Sequence, residues 1–259
     1  MHRLSTLPGE EPLEGIDLVE QKNAPVLFIS SAPGDISTLA AVLQNPKYSS
    51  WGKSIRALPL RSLTHPVQID HYLSSTAENA EIVVIRLLGG RGHWSYGLEQ
   101  FSIWEEQKKE RRLIVISGTD EYAIELHTLG SLSSKYANII SSLLKEGGKE
   151  NIGTFLEIIN DIRNLDESRI SSYTVKKLPD PYKYDWQNEP FHKIGVIVYR
   201  ANITSPDINF IDEINTQLRK SNLSPRMLAV SSLRNKNVQE KVLHLFQQEK
   251  IQAIITSTS

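Results

Sequence analysis

The residues best placed to do chemistry stand together in one stretch: Ile85-Arg86-Leu87-Leu88-Gly89-Gly90-Arg91-Gly92-His93-Trp94-Ser95-Tyr96-Gly97-Leu98-Glu99. An apolar run ends in a glycine-rich turn, and an amphipathic segment begins after it. In a parallel sheet the loops that follow the strand C-termini line the ligand crevice. Backbone N–H groups there, and the positive end of a helix dipole, favour an anion. Arg86, Arg91, His93 and Trp94 add charge, hydrogen-bond donors and a flat aromatic face. A purely architectural reading stands beside this one. Gly89 and Gly90 then only make a tight turn, and Trp94 only plugs a gap between helix and sheet. The glycines at 89, 90, 92 and 97 do not spell G-x-G-x-x-G, and no Gly-Lys-Ser/Thr follows, so neither a dinucleotide fingerprint nor a P-loop is present.

Other chemistry is weaker. The histidines are His2, His65, His71, His93, His127, His192 and His244, with no H-E-x-x-H spacing. His65 and His71 are the one close pair; His65 precedes Pro66 and reads as a turn residue, His71 as a helix residue. No G-x-S-x-G elbow occurs. The serines at 30–31, 231–232 and 257–259 read as strand ends and caps. Ser117-Gly118-Thr119-Asp120-Glu121 reads as a helix-start turn with acids at the positive dipole end, rather than a cation site. The sign-alternating run 105–112 reads as the wet face of a helix. Arg200 closes a later strand, either as a contact for a carboxylate or as a rim residue pairing with Asp207 or Asp212.

The elements that must position these residues alternate between short apolar runs and amphipathic stretches. Strands are expected at 26–30, 82–88, 113–117, 194–199, 227–230 and 252–256, with a weaker one at 54–59. Helices are expected at 36–43, 67–77, 96–111, 132–146, 152–165, 207–221 and 238–249, with Asp35, Ser131 and Asn237 as caps and Gly147-Gly148 as a stop. Runs such as Ile82-Val83-Val84-Ile85 are continuous rather than alternating, as in strands buried on both faces. The fold class is therefore α/β: a flavodoxin-like parallel-sheet domain over 1–165, a Pro/Tyr-rich linker over 166–192, and the start of a second, incomplete βαβαβ unit over 193–259.

The chain has 259 residues, 39% apolar and 23% charged, with 29 Lys+Arg against 30 Asp+Glu and no cysteine. A core is affordable at this length. The near-zero net charge argues against a nucleic-acid binder. The missing cysteines exclude disulfides, thiolate metal sites and thiol nucleophiles, and fit a cytoplasmic setting. No apolar run approaches the roughly 20 residues of a membrane span.

Arg86-Leu87-Leu88-Gly89-Gly90 followed by Trp94-Ser95-Tyr96-Gly97-Leu98-Glu99 resembles the N-terminal signature of the aerobic cobaltochelatase large-subunit family, which is related to the large (H) subunit of magnesium chelatase. Further pieces resemble it in order: Met1-His2-Arg3-Leu4, Leu7-Pro8-Gly9, Phe28-Ile29-Ser30-Ser31-Ala32 with Asp35 after it, Leu60-Arg61-Ser62-Leu63-Thr64-His65-Pro66, Gly195-Val196-Ile197-Val198-Tyr199-Arg200-Ala201, and Val230-Ser231-Ser232-Leu233. The chain departs from the family's pattern at Arg91-Gly92-His93, where a less polar triplet ending in Tyr is expected. The resemblance implies the N-terminal portion of a much longer subunit that binds a tetrapyrrole. It further implies that Co²⁺ is inserted into hydrogenobyrinic acid a,c-diamide and that ATP is hydrolysed on separate AAA+ partner subunits. It implies no catalytic residue, metal ligand or cofactor in this portion; the charge, hydrogen-bonding capacity and aromatic faces of the residues themselves suggest a substrate-contact set of Arg86, Gly89, Gly90, Arg91, His93, Trp94, Tyr96 and Arg200. Two rival readings are a magnesium chelatase subunit (Mg²⁺ into protoporphyrin IX) and a free-standing flavodoxin-like module that binds a small anion after Leu88.

Overall fold

A computed structural model of the chain describes residues 16–119, 121–166 and 168–257. Its backbone contacts divide it into two units, one up to 145 with 149–175 and the other 146–148 with 176–259. The division falls inside the stretch expected to be a linker.

In the first unit, chain order runs β1 (Val26–Ser30), α1 (Pro33–Leu43), β2 (Ile55–Pro59), α2 (Pro66–Ser74), β3 (Ile82–Leu87), α3 (Ser95–Glu106), β4 (Arg112–Ser117), α4 (Ala123–His127), α5 (Ser134–Glu146) and α6 (Gly148–Arg163). The four strands are parallel in the order β2-β1-β3-β4, the beginning of a flavodoxin-like sheet. The continuous apolar runs explain the two central strands. Every residue of β1 and β3 is buried. On one face Val26, Phe28, Val84 and Ile114 pack against α1, α5 and α6, where Phe28 meets Phe155 at 5.3 Å between ring centres. On the other, Leu27, Ile29, Val83, Ile85 and Val115 pack against α2 and α3. Each such side chain contributes about 1.5–3 kcal/mol by leaving water.

Helix limits differ from expectation where side chains reach backward. α1 begins at Pro33, whose fixed φ suits the first helical position. Asp35 is thus inside the first turn and is not the cap. Asn235, not Asn237, caps α9 (Lys236–Gln248), accepting from the Asn237 N–H at 3.0 Å. α3 stops at Glu106, well before 111. Arg111 is fully buried, lies 4.6 Å over the Trp104 ring and donates to the carbonyls of Trp104 and Glu78 at 2.7 Å each. The charged run is therefore a wet face only in part; its arginine closes the helix end from inside.

The second unit contains β5 (Tyr182–Tyr184), β6 (His192–Tyr199), α7 (Arg200–Thr204), α8 (Asn209–Lys220), β7 (Leu223–Val230), α9 and β8 (Ile254–Thr256), with sheet order β5-β7-β6-β8. β6, β7 and β8 are parallel, as the βαβαβ expectation required. β5 is antiparallel to β7, so this sheet is mixed and part of the expected linker is an edge strand. Pro225 fits inside β7 because β5 pairs only with Met227–Ala229 and asks nothing of residue 225. Ile197 and Leu228 face α9, while Val196, Val198 and Met227 pack with Ile211 of α8.

Candidate functional site

The crevice of an open α/β sheet lies where the chain leaves a strand to opposite sides, outside the strand C-termini. In the first unit that point is between β1 and β3. Its floor is a buried polar network. Arg86 Nη1 donates to Asp35 Oδ1 at 2.5 Å, and Ser30 Oγ donates to Asp35 Oδ2 at 2.6 Å. Both charged side chains are 8% exposed. The Ser31 N–H and Oγ both donate to the Arg86 carbonyl, at 2.9 and 3.1 Å, and the Ala32 N–H donates to Ser30 Oγ at 3.0 Å. The loop after β1 is thereby fastened to the end of β3. Arg86 Nε is buried with no partner.

Above this floor the turn at 88–94 rises. Gly90 approaches α4 so closely that a Cβ would sit 2.9 Å from the Tyr122 ring. Arg91 and His93 occupy a short 3-10 turn and are exposed. Trp94 is 6% exposed, donates its indole N–H to the Leu63 carbonyl at 2.6 Å and stacks 5.7 Å from Phe101. It fills the gap between helix and sheet and presents no open aromatic face, and the missing side chain of Gly97 makes room for the inward ring. A Cβ at Gly97 would lie 2.2 Å from Trp94 Cε2. Tyr96 is half-buried and donates to both carboxylate oxygens of Asp70 on α2, at 2.8 and 3.0 Å. Burial and Asp70 both push its phenol pKa up. The Tyr122 phenol is likewise raised, by a hydrogen bond to Glu121.

The structure thus brings Arg86, Gly89, Gly90, Arg91, His93 and Trp94 to one crevice, but only Arg91 and His93 offer side chains to solvent. Arg200 belongs to the second unit, where it meets Glu146 at 3.3 Å and the Leu178 carbonyl at 3.5 Å rather than Asp207 or Asp212. Asp35, Ser30 and Tyr122 were not foreseen as site residues. The signal for Asp35 was present, an acid five residues past a buried strand, yet it reads equally well as a cap. His65 caps α2 by accepting the Val67 N–H on Nδ1 at 3.2 Å. Among the described residues no three His, Asp or Glu side chains are grouped to hold a metal ion, and no helix is long and apolar enough to cross a membrane. The calls on 1–9 and Asp120 lie outside the described residues.

No family model matches the chain. Curated relatives do. A protein of Pseudomonas aeruginosa named aerobic cobaltochelatase subunit CobN is 27% identical over 259 aligned residues, covering 90% of this chain. The chain is similar to aerobic cobaltochelatase subunit CobN. A CobN of Sinorhizobium sp. is 31% identical over 144 residues, covering 56% of the chain. The chain spans 19% and 11% of the lengths of these two relatives. A solved structure titled catalytic subunit of cobaltochelatase, from Mycobacterium tuberculosis, superposes with a TM-score of 0.55 at 19% identity, over 84% of this chain and 17% of that one; it shares the fold. The resemblance to the CobN family read from the sequence is borne out.

Proposed function

We propose that this chain is part of the large subunit of an ATP-dependent cobaltochelatase working in the cytoplasm. In that enzyme the large subunit holds the tetrapyrrole while Co²⁺, a substrate rather than a resident cofactor, enters hydrogenobyrinic acid a,c-diamide, and AAA+ partner subunits hydrolyse ATP. The observation that supports this best is the CobN similarity running along 90% of the chain rather than through one motif. The role assigned to this portion is to bind and orient, without a catalytic group of its own. Arg86 and Asp35 fix the crevice floor; Arg91 and His93 stand at its mouth, where a guanidinium suits a substrate carboxylate.

The test is metal insertion by the full-length subunit with its ATPase partners, followed by absorbance of the macrocycle. Cobalt insertion into hydrogenobyrinic acid a,c-diamide that requires ATP is the expected result. Magnesium insertion into protoporphyrin IX would transfer the chain to the magnesium branch. No insertion into either by a folded, assembled complex would remove the chelatase reading.

A further inference from the structure

We infer that the groove between α2 and α3 is a docking surface for a basic amphipathic helix of a partner protein. The inference concerns the outer face of two helices and does not depend on what the β1/β3 crevice binds.

Packing makes the groove. α2 and α3 cover one face of the first sheet and lie side by side. Between them is a groove of about 250 Å³ whose apolar lining is Leu73, Ile103 and Trp104 and whose polar lining includes Asp70, Glu78 and Gln100. Val67 of α2 and Ile103 of α3 are exposed. The two helices are tied across at both ends. The Tyr96 hydroxyl donates to Asp70 at 2.8 Å at one end, and Lys108 Nζ donates to Glu78 Oε1 at 2.8 Å at the other. A groove held open in this way is preformed, so a ligand need not order it on binding.

Its charge is one-sided. From Pro66 to Ala80 and from Ser95 to Gln107 the sequence holds five carboxylates (Asp70, Glu78, Glu99, Glu105 and Glu106) and no lysine or arginine. The chain as a whole is balanced, with 29 Lys+Arg against 30 Asp+Glu, and α5 and α6 on the opposite face of the sheet carry both signs. Glu99, Ile103 and Glu106 stand at i, i+4 and i+7, which is a single stripe of α3. Glu99 and Glu106 are exposed, and neither side chain forms an ion pair or hydrogen bond among the described residues. An exposed isoleucine between two free carboxylates is complementary to an apolar anchor flanked by cations.

The shape selects a helix. The main-chain groups of α2 and α3 are spent on their own helical bonds, so an extended segment finds no ladder to join. Recognition falls to side chains, as when an amphipathic helix lies in a groove. α3 has twelve residues and is about 18 Å long, room for roughly three turns of a partner. The surplus of carboxylates repels nucleic acid and anionic lipid. A second copy of the chain is a poor occupant. Its basic helices α5 and α6 already bury their apolar faces in the first unit, and α8 and α9 theirs in the second. The occupant is therefore a helix of another protein, with an apolar stripe and lysine or arginine on both sides of it.

The test titrates the 259-residue chain, ¹⁵N-labelled, with a fluorescein-tagged helical peptide of about fourteen residues that has leucine at i, i+3, i+4 and i+7 and lysine elsewhere. A peptide of the same composition in scrambled order measures attraction by charge alone. The amphipathic peptide is expected to bind saturably, to shift backbone signals within 67–78 and 96–107, and to bind about tenfold more tightly than the scrambled one. Glu99→Lys with Glu106→Lys is expected to weaken it about tenfold, and Ile103→Ser about fivefold. All three residues are exposed, so the fold should survive, and the unshifted signals of the sheet verify that it does. No saturable binding, equal binding of the scrambled peptide, shifts centred elsewhere, or an unchanged affinity in the double variant would each overturn the docking surface.

Discussion

Arg86 and Asp35 make the sharpest test of how the crevice is held. Replacing Arg86 by Met keeps most of the side-chain volume but leaves the buried Asp35 carboxylate with only the Ser30 hydroxyl for company. Breaking one side of a buried ion pair costs about 3–5 kcal/mol, most of it the penalty of an uncompensated charge. For a unit of this size that corresponds to a melting temperature lower by roughly 6–20 °C. The second variant, Asp35→Leu with Arg86→Met, removes both charges, and such exchanges are often neutral. It should recover most of the loss, giving a coupling energy of about 3 kcal/mol in the double-mutant cycle. Thermal and urea unfolding followed through the fluorescence of the buried Trp94 and Trp104 measures both. A single variant within about 1 kcal/mol of the parent, or a double variant as unstable as the single, would show that the pair is not what holds the floor together.

Three further outcomes follow from packing and burial. Gly97→Ala should destabilise by about 1–3 kcal/mol because its methyl meets the Trp94 ring, although alanine is the better helix former by about 1 kcal/mol; a stability gain in urea would refute the contact. Asn215 of α8 is 1% exposed and neither amide atom has a partner, so Asn215→Leu should raise stability by about 1–3 kcal/mol, and a loss would count against the reading. Burial holds the His127 imidazole below its ordinary value of 6.5. The unfolded chain therefore takes up its proton first, and stability should fall as pH drops below 6.5 towards the folded value and then level off. His127→Gln should flatten that slope in unfolding curves at pH 7 and 5.5; an unchanged slope would assign it elsewhere.

The strands were legible because short, continuous, β-branched apolar runs bounded by turn residues mark strands buried on both faces: Val26–Ser30 matches its expected limits, and β3 differs by one residue. The 85–99 segment was legible as strand, turn and helix for the same reason. What escaped depends on partners distant in the chain. Asp35 and Arg86 are 51 residues apart, so no local pattern announces their pairing. The inward turn of Trp94 is decided by Gly97 and by a carbonyl at Leu63. β5 is three residues long in a proline-rich stretch and exists only because β7 offers an edge. Pattern reading finds elements that stabilise themselves by periodic burial and passes over those recruited by a neighbour.

The second sheet has two unlike borders. On one side stands β5, three residues with Lys183 at the centre and a proline before it, a poor template for another strand. On the other stands β8, which among the described residues pairs only with β6, carries no charge from Gln252 to Ser257 and leaves Ile254 and Ile255 52% and 43% exposed. A strand that joins this sheet is therefore expected beside β8 and not beside β5, whose lysine and proline repel one.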